Sequence, residues 1–202
     1  MKYAYSAAAA ALVLSISAPA VAQDEYALDE IPSGAYDLDK GHAHVYFKIS
    51  HLGFSTTLGR FNDFDADFTL DAADPAKSKL DVAIDVASID MNNKKFDEHL
   101  LSADFFDAEN HGEMTFVATG IERTGDKTAK LTGDFTMLGE TKPLTLDVEL
   151  NKAAPNPFSK APTVGFSARG MLDRTEWGMD KYAPAVGASV DLIIEAEFNK
   201  AE

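Results

Sequence analysis

Cysteine is absent from this sequence of 202 residues. Its absence excludes disulfide bonds, a thiolate nucleophile and metal sites built from thiolate ligands. It also excludes a lipid anchor on a cysteine that follows a cleaved leader. The fold must therefore be held by its hydrophobic core, and the length suits one domain with a sizeable core.

Positive charge is scarce, because 18 Lys and Arg residues stand against 33 Asp and Glu residues and the formal net charge is −15. A chain this acidic is repelled by nucleic acids and by anionic membrane surfaces. We therefore expect no nucleic-acid partner. The simplest interpretation of the charge is a solvated acidic surface.

Long apolar runs are absent after the N-terminal region. That region combines Lys2, an apolar run at 7–18 and the small-x-small sequence AVA at 20–22, in the order of a cleavable signal peptide. The run is too short to span a bilayer, which needs ~20 apolar residues. We expect a signal peptide at 1–22, a mature chain starting at Gln23, a periplasmic location and no stable membrane insertion. An ordinary N-terminal helix is the alternative.

Alternation of apolar and polar residues with a period of two dominates from Tyr36 onward. Leu80, Val82 and Ile84, for example, alternate with acidic or small residues. This pattern is typical of antiparallel strands with one face in water. It predicts eight strands, at 45–50, 63–70, 80–86, 114–121, 131–137, 144–150, 164–169 and 190–197.

One segment, at 93–102, departs from the alternation. It places Phe96 and Leu100 four positions apart, which predicts a short amphipathic helix with Asn92 or Asn93 as its N-cap. The helix falls between the third and fourth predicted strands.

The domain organisation follows from these elements. The polar residues 23–35 predict an extended N-terminal arm, and residues 36–202 predict a single all-β domain. Eight antiparallel strands with one helix form either a closed barrel or a two-layer sandwich, and closure removes exposed strand edges. An eight-stranded barrel is wide enough to be filled by side chains or to hold one small ligand.

Catalytic motifs are missing. The sequence contains no Gly-x-Ser-x-Gly motif, no Walker-type phosphate loop and no dinucleotide fingerprint. We expect a binding protein with no enzymatic activity and no cofactor.

The apolar strand faces carry large aromatic residues interleaved with small ones. Small residues inside a barrel either leave a cavity or complement large side chains across the core. On the pattern alone, a filled core is the simpler interpretation. The functional alternative is an apolar tunnel, where each buried CH2 of an isoprenoid chain contributes ~0.8 kcal/mol. The small residues are Ala66, Gly133, Ala168 and Ala196.

Two further features allow a functional and a structural interpretation. His42 and His44 share a strand face if the strand already starts there, and could then chelate a metal, whereas His51 has the opposite parity to His44. Hydrogen bonding or exposure is the simpler interpretation, and we predict no metal site. Arg174 and Trp177 form either a packed turn or the mouth of a ligand site.

Several segments together resemble the YceI-like family of polyisoprenoid-binding periplasmic proteins. They are YDLDKGHAHVYFKISHLGFSTTLGRFNDFDADFTLD at 36–71, SID at 88–90, EHLLSADFFD at 98–107, MTF at 114–116, LTGDFTMLGETKPLTLDV at 131–148 and RTEWG at 174–178. The resemblance implies an extended, lipocalin-like antiparallel barrel that holds a long apolar tail, polyprenyl or fatty-acid-like. It favours the tunnel over the filled core.

We therefore predict a periplasmic lipid carrier. The alternatives are a non-enzymatic, stress-related barrel with a packed core, and a histidine-based metal or enzyme site. A homodimer is compatible with the sequence. The residues predicted at the polar end of the ligand are His51, Arg174 and Trp177. The residues predicted to line the cavity are Phe47, Phe64, Phe68, Ile84, Phe116, Phe135, Met137, Phe166 and Leu192.

Overall fold

The computed structural model describes residues 28–202. The predicted signal peptide and the first part of the predicted arm, 23–27, lie outside the described residues. Strands make up most of the described chain: β1 (Gly34–Leu38), β2 (His44–His51), β3 (Ser55–Phe61), β4 (Phe64–Leu70), β5 (Lys79–Asp85), β6 (Ile89–Asp90), β7 (Glu113–Arg123), β8 (Thr128–Met137), β9 (Glu140–Pro155), β10 (Pro162–Asp173) and β11 (Val186–Lys200). The helix α1 is Lys94–Leu100, and short 3-10 helices occur at Leu28–Glu30, Pro75–Lys77, Val86–Ser88 and Arg174–Trp177.

Eight of these strands close into an antiparallel barrel in the order β1-β4-β5-β7-β8-β9-β10-β11. The ring closes where β1 pairs with β11, with Tyr36 opposite Lys200 and Leu38 opposite Phe198. Closure satisfies the backbone groups that an open sheet would leave at its edges. The fold is the predicted all-β barrel.

The barrel wall is extended at one end by β2, β3 and β6. The long strand β11 pairs with β1 at its C-terminal end and with β2 over Val186–Glu195. In the same way β3 pairs with β2 while β4 pairs with β1. Thus β1 and β2 act as one interrupted strand, and so do β3 and β4.

Three observed strands, β1, β3 and β6, fall outside the eight predicted ranges. The inward positions of β3 are Ser55, Thr57, Gly59 and the buried Phe61, while its Leu58 points outward and is exposed. A strand whose inner face is apolar only at its last residue gives no apolar alternation, which explains why the pattern missed it.

The barrel has two ends, named here the helix end and the far end. The helix end carries α1, the β2–β3 turn and the 3-10 turn at Arg174–Trp177. The far end carries the β7–β8 and β9–β10 turns and Leu28. One buried cluster includes Leu100, Met137 and Trp177, and a second, at the far end, includes Tyr36, Val164 and Phe198.

The predicted helix is present as α1 between β6 and β7. The Asn93 side chain accepts a hydrogen bond from the backbone N–H of Phe96 at 3.3 Å, so Asn93 is the N-cap. Leu100 is buried and Phe96 is half-buried. The helix therefore covers the helix end with its apolar face. Among the helices of residues 28–202, none has the length and apolar character needed to cross a membrane.

The described part of the predicted arm, 28–35, is not extended throughout. It contains the 3-10 turn at Leu28–Glu30 and the start of β1. Ile31 is buried against the far-end cluster. This segment therefore packs over the far end of the barrel.

Candidate ligand-binding cavity

A cavity of about 940 Å³ lies inside the barrel. Its lining includes His51 and Tyr182 at the helix end and Arg123 and Thr128 at the far end. The cavity therefore extends along the whole barrel axis. Its volume is near the top of the range of ligand pockets, about 300–1,000 Å³.

The walls of the cavity are built from the inward faces of the strands. On β2, for example, Val45, Phe47, Ile49 and His51 all line it. The nine residues predicted to line a cavity are all found there: Phe47, Phe64, Phe68, Ile84, Phe116, Phe135, Met137, Phe166 and Leu192. Their binding of a ligand stays a prediction.

The aromatic rings form two groups along the cavity. At the far end Phe68 stands edge-on to Phe166, with ring centroids 6.0 Å apart, and 4.8 Å from Phe198. At the helix end Phe61 lies between Phe47 and Phe106, 5.7 Å from each. Such edge-to-face and tilted contacts hold the rings in fixed positions.

Several lining residues were not predicted. Val45 and Ile49 share the parity of Phe47, and Leu144 and Leu146 alternate in β9, so strand parity could have identified them. Residues of α1 and the following loop carried no such signal because the helix folds back over the barrel end. These are Phe96, His99, Leu100, Phe105 and Phe106.

The small inward residues have two different roles. Ala66, Ala168 and Ala196 line the cavity and leave space in front of them. Gly133 does not, because a Cβ built there would lie 2.4 Å from Cζ of Phe116. The Phe116 ring therefore occupies the space that Gly133 leaves, whereas the three alanines border the open cavity.

Arg174 lies at the helix end and is 2% exposed. Its guanidinium donates hydrogen bonds to four backbone carbonyls, those of Met179, Lys181, Val186 and Gly187, at 2.5–3.1 Å. Burial lowers the pKa of Arg174. Although its side chain borders the cavity, its donors are engaged in holding the loop between β10 and β11.

Trp177 does not line the cavity. Its indole N–H donates to the carbonyl of Phe135 at 3.2 Å, and its ring packs edge-on against the Phe135 ring. The side chain is 2% exposed. The structure therefore places Trp177 behind the cavity wall, as part of a packed turn.

Polar groups border the cavity mainly at its two ends. His51, Thr57, His99 and Tyr182 lie at the helix end. At the far end the lining includes Ser78, Arg123, Asp126, Lys127 and Thr128. Between the ends the lining is almost entirely apolar. This arrangement suits a long apolar molecule lying along the barrel axis.

His42 and His44 do not share a strand face, because β2 begins at His44. His42 donates to Asp39 at 2.9 Å, which raises the pKa of His42 and lowers that of Asp39. Possible ligand atoms of Asp39, His42 and Glu197 lie within 4.8 Å of one another. His44 is absent from this group and lies on the outer face of β2. The hydrogen bond between His42 and Asp39 explains why these side chains lie close together in the segment between β1 and β2.

The model of the YceI-like domain matches residues 36–198. A UPF0312 protein of Pseudomonas putida strain GB-1 is 42% identical over 164 residues, which cover 80% of this chain and 84% of that protein.

Solved structures show the same barrel. The Campylobacter jejuni YceI protein has a TM-score of 0.69 at 32% identity, over 76% of this chain and 90% of that one. A polyisoprenoid-binding domain from Saccharophagus degradans has a TM-score of 0.64 over 83% of this chain and 99% of that one, and at 10% identity shows the fold alone. Sequence match and barrel agree that this chain belongs to the YceI-like family.

Proposed function

We propose that this protein binds a single long apolar lipid of isoprenoid or fatty-acid type inside its barrel, and that it carries the lipid through the periplasm without chemical change. The observation that carries this proposal is the cavity of about 940 Å³ that runs between the two barrel ends. The structural neighbour described as a polyisoprenoid-binding domain supports it.

The lining favours recognition of the apolar tail. Burial of hydrocarbon against apolar walls contributes ~0.8 kcal/mol per CH2, so several isoprene units supply ample affinity with few polar contacts. At the helix end, the guanidinium of Arg174 already donates to four backbone carbonyls and so is not directed at a ligand head group. A charged head group is therefore not needed to account for the site.

The export signal predicted at 1–22 supports a periplasmic location. A free isoprenoid chain is insoluble in an aqueous compartment, and a barrel with an acidic outer surface would shield it. The net charge of −15 keeps such a carrier soluble.

The alternative of a stress-related barrel with a packed core fits the structure less well. A packed barrel has no continuous cavity, whereas the lining here includes residues of both ends. The small residues Ala66, Ala168 and Ala196 contribute to that space.

Native mass spectrometry of protein purified from its host tests the proposal. We expect a co-purifying lipid, and we expect geranylgeraniol added to delipidated protein to raise the melting temperature, because a ligand that binds only the folded state stabilises it. No extractable lipid together with an unchanged melting temperature would overturn the proposal.

Metal analysis of the same sample tests the alternative of a site at His42, His44 and His51. A metal or enzyme site requires stoichiometric metal, or altered behaviour of a His42→Ala/His44→Ala variant. The carrier proposal expects neither, and expects geranylgeraniol binding to be unchanged in that variant.

A further inference from the structure

Two neighbouring loops at the helix end expose apolar side chains. The first is the β2–β3 turn, where Leu52 is 50% and Phe54 is 89% exposed. The second lies between Arg174 and β11, where Tyr182 is 53% exposed and Pro184 and Ala185 are also exposed. We name these five residues the rim patch.

The two loops form one surface. The backbone N–H of Leu52 donates to the carbonyl of Ala185 at 3.0 Å, which fixes the loops side by side. Tyr182 lies 6.1 Å from Phe105, between ring centroids, and so joins the patch to the residues below α1. An apolar surface of this kind on a protein marks an interaction site.

The rim patch adjoins the cavity. His51, directly before Leu52, lines the cavity, as do Thr57 of β3 and Tyr182 itself. Any surface that covers the patch therefore meets the helix-end mouth. A partner bound there is in position to exchange the contents of the cavity.

The backbone of the first loop holds Leu52 in an unfavourable conformation. Leu52 has φ 54° and Gly53 has φ 73°, both in the left-handed region. Asn or Asp followed by Gly is favoured in such hairpin turns, whereas a leucine is an outlier there. The turn thus presents a large apolar side chain at a position where a polar residue would fit the backbone better.

The charge distribution identifies the kind of partner. No Asp or Glu occurs at 48–60 or at 181–190, although the chain contains 33 acidic residues. The cations at their ends are each paired with a carboxylate: Lys48 with Asp191, Arg60 with Asp90 and Lys181 with Asp104. The two loops therefore carry little net charge in an otherwise acidic molecule, which suits the surface of a zwitterionic bilayer.

We propose that the rim patch docks on the surface of a phospholipid bilayer, with Leu52 and Phe54 inserted among the lipids, so that cargo passes between the bilayer and the helix-end mouth. This inference rests on the proposed lipid-binding function and adds the place of exchange. Aromatic and aliphatic side chains at the interface give shallow and reversible binding.

Flotation with phosphatidylcholine vesicles tests docking. The test variant is Leu52→Asn/Phe54→Ser, and because asparagine suits the left-handed turn, we expect an unchanged or higher melting temperature. The control is Phe158→Ser, which removes a 93% exposed phenylalanine from the β9–β10 turn at the far end. We expect the vesicle-bound fraction to fall by about tenfold in the double variant and to remain at the wild-type level in the control.

Cargo transfer gives a second readout. We expect the double variant to take up a fluorescent geranylgeraniol analogue from vesicles about tenfold more slowly, yet to bind the same analogue normally when it is delivered from ethanol without vesicles. Failure of the wild-type protein to bind the ethanol-delivered analogue would overturn the proposed function, whereas flotation would still decide docking.

Two results overturn the docking proposal. One is equal flotation of wild-type protein and double variant. The other concerns the molar mass measured without vesicles: two chains for the wild-type protein and one chain for the double variant. That result would make the rim patch a contact between copies of this chain.

Discussion

Ala66 faces the cavity from β4, between the large inward residues Phe64 and Phe68. Its missing side-chain volume is part of the space available to a ligand. An alanine between aromatic residues therefore adds directly to the size of the cavity, because interiors are otherwise closely packed.

Substitution Ala66→Phe should block the cavity. The added ring fills empty apolar space, so we expect unchanged or slightly higher stability together with a loss of geranylgeraniol binding. Calorimetric titration and thermal unfolding measure the two effects. The control is Val117→Phe on β7, where the side chain is 45% exposed. Full binding by the Ala66 variant would show that the ligand lies elsewhere.

Arg174 should matter for stability more than for binding. Lysine cannot reach all four carbonyls, so we expect Arg174→Lys to lower the free energy of unfolding by about 2–4 kcal/mol, because buried acceptors lose their donors. Urea unfolding measures this loss. Arg169→Lys, at a more exposed arginine paired with Glu195, should cost about 0–1 kcal/mol. An unchanged urea midpoint with lost lipid binding would instead make Arg174 a ligand contact.

Individual residues differ in how far the sequence reveals them. Phe47 and Phe166 could be placed on the cavity wall because strand parity decides which side a residue faces. The role of Arg174 could not, because its acceptors lie in the loop before β11 and in the first two residues of β11, and the path of that loop follows no periodic pattern. The sequence pattern also left open whether Gly133 faces empty space or the Phe116 ring.

At the scale of elements, the two-residue strand β6 pairs with β3, and one carboxylate adds side-chain hydrogen bonds to this pairing. Asp90 accepts hydrogen bonds from Nε and Nη2 of Arg60 at 3.0 and 2.7 Å, and from Asn62 at 3.2 Å. The backbone N–H of Asn92 also donates to it. The Arg60 guanidinium, with these further donors, lowers the pKa of Asp90 to about 2.

This attachment predicts a specific pH dependence. Because the folded-state pKa lies below the unfolded value of ~3.9, the contribution of Asp90 is present above about pH 4 and is lost as the pH falls through about 2. Asp90→Asn should therefore lower the urea midpoint at neutral pH, and this difference from wild type should disappear near pH 2. Asp134→Asn, on the outer face of β8, is the matched control. A difference that persists at low pH would contradict the role of the ionised carboxylate.

Elements were predictable where one face is apolar and the other polar. β8, with Leu131, Phe135 and Met137 buried and Asp134 exposed, meets that condition, and so does α1. β3 does not, because Thr57 and Gly59 face inward and Leu58 faces out. Its position depends on pairing with β2, which is a tertiary interaction.

At the scale of the whole molecule, the barrel and its central cavity followed from the alternation together with the family resemblance. The two mouths did not, since each brings together segments far apart in the chain. His51 and Tyr182, for example, meet at the helix end only after closure. Local sequence patterns carry no information about which distant segments come together in this way.

Export should also be testable on the whole chain. When the gene encodes the whole leader, we expect the protein in a periplasmic fraction. Its intact mass should equal that of a chain beginning at Gln23. Ala22→Arg places a large charged residue at the cleavage site and should leave an uncleaved precursor. Ala27→Arg, outside the recognition sequence, is the control. A wild-type protein that keeps residues 1–22 in its host would contradict the export proposal.

The pairing of the first and last barrel strands has a consequence for the order of events in the cell. The ring closes only when Lys200 and its neighbours meet β1, and β11 also supplies the partner for β2. Before β11 joins the sheet, the ring is incomplete and its interior is open. Cargo can therefore be retained only after β11 has closed the ring.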